Sequence, residues 1–217
     1  MTHRLEIDSV TLEFGTRRLL TDIYLECSTG LITGLLGRNG EGKSCLLNII
    51  FGTQSSSSKS ARFDGIAIYK AFKRPDLLTF LPQFSFLPGF LSPRRIFSDF
   101  NISYQEFETH FPEFNGLHNF KIKNLSSGNK RLLEVYLIIK SRAQFSILDE
   151  PFSRLTPLQT DKIIDLLIAN KSAKGFLLTD HLYENILTVC DQIYVLSAGK
   201  TYFSKSLDDI RHLGYIK

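Results

Sequence analysis

Gly37-Arg-Asn39-Gly40-Glu-Gly42-Lys43-Ser44 carries the plainest chemistry in the sequence. It fits the spacing G-x-x-x-x-G-K-[ST], with an apolar run before it, Leu31 to Leu36, and a helical pattern after it, Lys43 to Phe51. Gly37, Gly40 and Gly42 free the backbone to curl, so that successive N–H groups point at phosphate oxygens. The helix opening at Lys43 adds the positive end of its dipole. Lys43 supplies a cation to β- and γ-phosphates, and the Ser44 hydroxyl is a ligand for Mg2+. Such a loop needs a metal-holding acid at the end of another strand. Phe145-Ser-Ile-Leu-Asp149-Glu150 supplies it: Asp149 to hold Mg2+ through water, and Glu150 to polarise an attacking water. Two acids ending a strand are common on surfaces, and it is the glycine loop that gives these two their chemistry.

The elements that must hold these residues follow from hydrophobic period. Leu5, Ile7, Val10, Leu12 and Phe14 mark an extended segment with one slip in its alternation, and Leu20 to Cys27 alternates again. Gly52 ends the helix after the loop, Ser55 to Ser58 reads as a mobile surface loop, and Arg62 to Tyr69 as a strand. Beyond Ser126 the pattern predicts a helix over Asn129–Lys140, with Leu132, Val135, Tyr136 and Ile139 on one face. A strand over Phe145–Leu148 follows, then a helix from Pro157 to Asn170, strands at Phe176–Leu178 and Ile193–Leu196, and a turn at Gly199. Strands and helices in alternation predict an α/β fold, a parallel sheet with helical crossovers. Between 80 and 120 lie ten of the chain's 18 Phe, broken up by prolines 82, 88, 93 and 112. That stretch reads as a small inserted subdomain of short helices, its rings mostly core.

Composition removes other classes. The 217 residues, with 43% hydrophobic content and a net charge of +4, exclude disorder, and 14 Gly with 7 Pro exclude collagen-like or low-complexity chains. Cys27, Cys45 and Cys190 show no CxxC spacing and read as reduced thiols. No run reaches the 18 or so apolar residues of a membrane span, and the N-terminus has no apolar signal core, so a cytoplasmic chain is expected. Basic residues are scattered over four short runs, which read as solvated surface; no nucleic-acid partner is expected.

The order of motifs resembles the ATP-binding cassette (ABC) ATPases, over nearly the whole chain. Asn39 to Ser44 is similar to that family's phosphate loop, Gln83 in Leu-Pro-Gln to its Q-loop, and Leu125-Ser126-Ser127-Gly128-Asn129 to its LSGGQ signature. Leu148-Asp-Glu-Pro151 is similar to its Walker B motif, Ser153 to Pro157 to its D-loop, and Thr179-Asp-His181 to its switch histidine. The resemblance implies a P-loop NTPase fold of ABC type: a RecA-like parallel core, an N-terminal antiparallel β subdomain and an inserted helical subdomain. The ATP-binding core would take 1–82 and 143–217, the helical subdomain 83–142.

It further implies ATP and Mg2+ as ligands. Gln83 would touch Mg2+ and the attacking water, and His181 would hold the γ-phosphate and the water beside Glu150. Ser126 and Gly128 would bind the ATP of a second, head-to-tail protomer; their other reading is an ordinary helix cap. Phe14 would stack on adenine, or be a buried edge-strand ring. Cys45 stands where a hydroxyl usually meets the α-phosphate. Ser127, Asn129 and Thr156 depart from the usual signature and D-loop, and Gln83 to Leu125 is short for the family's helical insert. The reading is the ATP-hydrolysing subunit of a transporter, an exporter before an importer. It would pair with a second ATPase protomer and lie on the inner face of the membrane against a separate membrane-spanning subunit. The alternatives are a soluble ABC protein, or a nucleotide-dependent regulator with weak hydrolysis.

Overall fold

The computed structural model describes residues 2–215; Met1, Ile216 and Lys217, the ends of the expected 1–217 domain, lie outside the described residues. Among the described residues ten strands form two sheets. The first is antiparallel, in the order β2-β1-β4-β5, from β1 (Arg4–Phe14), β2 (Arg17–Ser28), β4 (Ser58–Phe63) and β5 (Ile66–Ala67). The slip in alternation along β1 is a bulge: Ser9 takes φ 56°, and the register with β2 shifts between Ile7 and Val10. The serine run is shorter as a loop than expected, because Ser57 N–H donates to Thr11 O at 2.9 Å and Ser58 already begins β4. The single strand expected over Arg62–Tyr69 is instead a hairpin. Asp64 and Gly65 turn it with φ 50° and 81°, the left-handed pair that an Asp-Gly dipeptide favours.

The second sheet has the order β10-β9-β3-β8-β7-β6. Its inner strands β3 (Ile32–Gly37), β7 (Phe145–Asp149) and β8 (Gly175–Thr179) are buried at every residue, which is why they read as unbroken apolar runs. β6 (Leu78–Leu81) and β9 (Gln192–Ser197) pair parallel to them, and β10 (Lys200–Ser204) returns antiparallel through Gly199. The helix after the loop, α1 (Lys43–Phe51), ends at Gly52 as expected. Between β6 and β7 run α2 (Pro93–Asp99), α3 (Tyr104–His110) and α4 (Ser127–Lys140). Then come α5 (Pro157–Asn170), α6 (Tyr183–Val189) and α7 (Leu207–His212).

The phenylalanine-rich stretch divides. Phe97, Phe107, Phe111 and Phe114 are buried around Tyr136 of α4, and Phe80 and Phe86 pack partly against core. Phe84 and Phe90, at 75% and 74% exposure, stand in solvent.

Candidate nucleotide-binding site

The parallel register of β6, β7 and β8 brings three separate motifs together. Leu81 pairs with Leu148 and Asp149 with Thr179, so the chain leaves all three strands at one level. Gln83 lies two residues past β6, Glu150 one past β7, and His181 two past β8. The outcome is a shared contact at one carboxylate oxygen. Gln83 Nε2 donates to Glu150 Oε1 at 3.0 Å, and His181 Nε2 lies 2.6 Å from the same oxygen. Glu150 itself sits at φ 53°, a left-handed conformation unusual outside glycine, with its N–H donating to Thr179 O at 2.8 Å. Strain of this sort collects at sites where side-chain aim matters.

These three residues wall a cavity of about 390 Å3 whose floor is the glycine loop. Asn39, Gly40 and the run Gly42 to Cys45 line it, with Leu19 of β2 on the remaining side. Gly40 and Gly42 take φ 82° and 100°, so the curl of the loop rests on them. Gly37 serves differently: it closes β3, where a Cβ would meet Leu196 O at 2.8 Å. Lys43 is buried, and its Nζ donates to Gly37 O at 2.5 Å and Arg38 O at 3.2 Å. Burial pushes the ammonium below its ordinary value, opposed by the charges of Asp149, Glu150 and Glu41. Asp149 is buried below the loop, and burial raises its carboxyl, opposed by a bond from Ser44. Its Oδ1 has no partner.

An unpartnered buried carboxylate oxygen beside a serine hydroxyl suits Mg2+, which takes one or two protein oxygens and fills the rest of its shell with water and phosphate. Among the described residues no cluster of three or more His, Cys, Asp or Glu could hold a metal by itself. The donor set Ser44, Asp149 and Gln83 therefore fits a metal that arrives with phosphates.

Phe14, Ser126 and Gly128 do not line this cavity. Phe14 is 57% exposed at the end of β1, so the buried edge-strand reading is excluded and its ring is open to stacking. Ser126 caps α4, with Oγ accepting from Asn129 N–H at 3.1 Å. Gly128 packs so closely on the following motif that a Cβ would stand 2.6 Å from Arg154 O. Thr156, in place of the usual aspartate, forms a capping box with Gln159 at the start of α5. All three thiols are free.

Against this geometry, the family model described as ABC transporter matches residues 20–153. The chain belongs to the ABC transporter family. The cassette is 27% identical over 227 residues to an uncharacterised ABC transporter ATP-binding protein of Methanocaldococcus jannaschii, covering 100% of this chain and 83% of the relative. It is 25% identical over 233 residues to the xylose/arabinose import ATP-binding protein XylG of Sulfolobus acidocaldarius, covering 96% and 90%. A solved ATP-binding subunit of an ABC transporter superposes with a TM-score of 0.80 at 22% identity, over 96% of this chain and 92% of that one. The ABC fold is thus as expected from the motifs: parallel core, antiparallel β subdomain and inserted helices. Among the described residues, no helix of the cassette is long and apolar enough to cross a membrane.

Sequence reasoning missed several residues around the site. Leu19 carries no motif. Asp180 was passed over as a neighbour of His181, yet it is buried and accepts from Phe152 N–H at 3.2 Å and Leu182 N–H at 3.0 Å, tying the turn after Glu150 to the histidine loop. Arg131 and Glu134 are buried in α4 beside the Gln83 segment. A charged pair three apart within an apolar helical run was the available signal.

Proposed function

We propose that this cassette hydrolyses ATP with Mg2+ and drives a separate membrane-spanning subunit as one half of a head-to-tail ATPase pair. The observation that carries the reading is the convergence of Gln83 and His181 on Glu150 Oε1, at 3.0 and 2.6 Å, in the mouth of the glycine-loop cavity. A carboxylate held from two sides next to a phosphate cradle is placed to orient a water for in-line attack. The water oxygen bonds to the γ-phosphorus, the bond to the β-phosphate oxygen breaks, and Glu150 receives the proton. Lys43 exchanges its loop carbonyls for β- and γ-phosphate oxygens, and the loop N–H groups hold the developing charge. Ser44 and Asp149, with Gln83 at the rim, would hold Mg2+, whose contribution is charge neutralisation across the phosphates.

Ser126 and Gly128 lie outside the chain's own cavity, which supports their serving a second protomer's nucleotide. The cap uses a lone pair of the Ser126 hydroxyl and leaves its proton to donate. Phe14 would stack on adenine, and Cys45 would approach the α-phosphate. The helical unit, 83–142, would carry the membrane-subunit contact, with 1–82 and 143–217 as the ATP-binding core, and the cassette would lie on the cytoplasmic face. The relative named for xylose and arabinose is an import ATP-binding protein, which supports import of a small solute over the export expected from the sequence.

The test is Glu150→Gln. Phosphate release should fall to a trace while Mg-ATP accumulates a dimer on size-exclusion chromatography. Full turnover in that variant defeats the role of Glu150, and an unmodified chain that binds ATP without turnover favours the regulator reading.

A further inference from the structure

Helix α4 reaches the site by a route that its N-terminal motif does not require. Arg131 is 3% exposed. Its Nη1 donates to Pro82 O at 2.7 Å, and its Nη2 donates to Asp149 O at 2.5 Å and Glu150 O at 3.0 Å. One planar guanidinium therefore ties the residue before Gln83 to the backbone of Glu150, a job for a rigid fork of donors and not for an ammonium. One turn on, Glu134 is 1% exposed and grips the other side of Gln83. Its Oε1 accepts from Ser85 Oγ at 2.5 Å and from Phe86 N–H at 3.1 Å, and its Oε2 lies 3.6 Å from Arg131 Nη1.

Stability alone gives little reason for this arrangement. A buried Arg–Glu pair is often matched or bettered by apolar residues of similar volume. Here Arg131 Nε is also left buried without a partner. The fork does fix three carbonyls at the place where Glu150 is held at φ 53°, and strained backbone persists only where its surroundings over-determine it. Gln83 is clamped at 82 by Arg131 and at 85 and 86 by Glu134, and its amide reaches Glu150 from there.

We propose that Arg131 and Glu134 are positioning residues for hydrolysis, holding the Gln83 segment and Glu150 in mutual register. The inference rests on the ATPase reading. It makes α4 a single lever: whatever acts on Ser126 at its N-terminus acts on Gln83 and Glu150 through the same guanidinium.

The experiment compares kcat for phosphate release with Mg-ATP affinity in the full chain. Arg131→Lys keeps a charge for Glu134 but cannot span three carbonyls. Arg131→Met combined with Glu134→Leu removes the buried charges together, which preserves folding better than either loss alone. Both variants should bind Mg-ATP as the parent does and lose kcat by about 100-fold, the scale of a misplacement near 1 Å. A packing role alone would lower the melting temperature and leave kcat in place. In a Gln83→Ala background, Arg131→Lys should cost clearly less than its about 100-fold in the parent, because the part of its effect that runs through Gln83 is already gone and coupled residues are not additive. Parental kcat in the folded double variant, or a full multiplicative loss in the Gln83→Ala background, overturns the proposal alone. If the double variant fails to fold, the Gln83→Ala comparison decides. Absence of turnover in the unmodified chain defeats the ATPase reading, and the positioning role with it.

Discussion

Replacing Gly128 with alanine should damage the fold before any nucleotide is involved. A Cβ built at Gly128 meets Arg154 O at 2.6 Å, closer than carbon and oxygen tolerate. Neither side yields readily. Arg154 is at φ 66°, and Gly128 lies in the first turn of α4, whose cap is the Ser126–Asn129 bond of 3.1 Å. Overpacking of this size costs about 1–3 kcal/mol, and loosening the cap adds up to about 1 kcal/mol. For a chain of this length each kcal/mol moves Tm by about 2–4 °C, so Gly128→Ala, at about 1–4 kcal/mol in all, should melt about 2–16 °C lower. The assay is thermal unfolding of the nucleotide-free protein, followed by circular dichroism. Ser127→Ala is the control, since Ser127 is exposed and alanine is the better helix former. A Gly128→Ala melt within about 1 °C of the parent would refute the claim that glycine is demanded there by the chain's own backbone.

Lys174 gives a pH-dependent case. Burial pushes its ammonium down to about 7, while Ile138 O, Ile139 O, Ser141 O and Ser141 Oγ accept from it at 2.5–3.2 Å and hold the charged form. The folded state then binds fewer protons than the unfolded state above pH 7. The burial penalty is therefore complete below about 7 and is relieved as pH rises toward 10.5, by at most about 1.4 kcal/mol per unit. Urea unfolding at several pH values should show that slope shrinking in Lys174→Met, and an unchanged slope contradicts it. Phe90→Asp, at an exposed ring, should release the protein from membranes with ATP affinity intact, whereas Phe97→Asp, at 1% exposure, should unfold it. Phe86 packs partly against core and is the poorer probe; membrane fractionation with nucleotide titration separates these cases.

The glycine loop, the buried strand runs and the helices at Lys43, Ser126 and Pro157 were legible because each rests on local rules: glycine conformations, apolar period and capping. The convergence on Glu150 was legible only through motif order, because strand register, not sequence distance, brings Gln83 and His181 to it. The Asp64-Gly65 hairpin was local and was overlooked inside an apolar stretch. Phe14 could not be assigned from its edge position, since exposure depends on where the hairpin leads it. Arg131 and Glu134 showed only as a charged pair in an apolar helical run, and Asp180 carried no signal of its own, because most of their partners are backbone carbonyls and N–H groups of other segments, which have no letter in the sequence.

Titration calorimetry of Mg-ATP into the unmodified chain and into Lys43→Ala tests the site most directly. On the proposed reading Lys43 would give up two carbonyl contacts, at 2.5 and 3.2 Å, on turning to phosphate. Loss of a charged hydrogen bond of about 1.5–3 kcal/mol should therefore weaken binding by about 10- to 150-fold. The folded variant should show that loss with its melting temperature near the parent's. Equal affinity in the two proteins would mean that the glycine loop is not where the nucleotide sits.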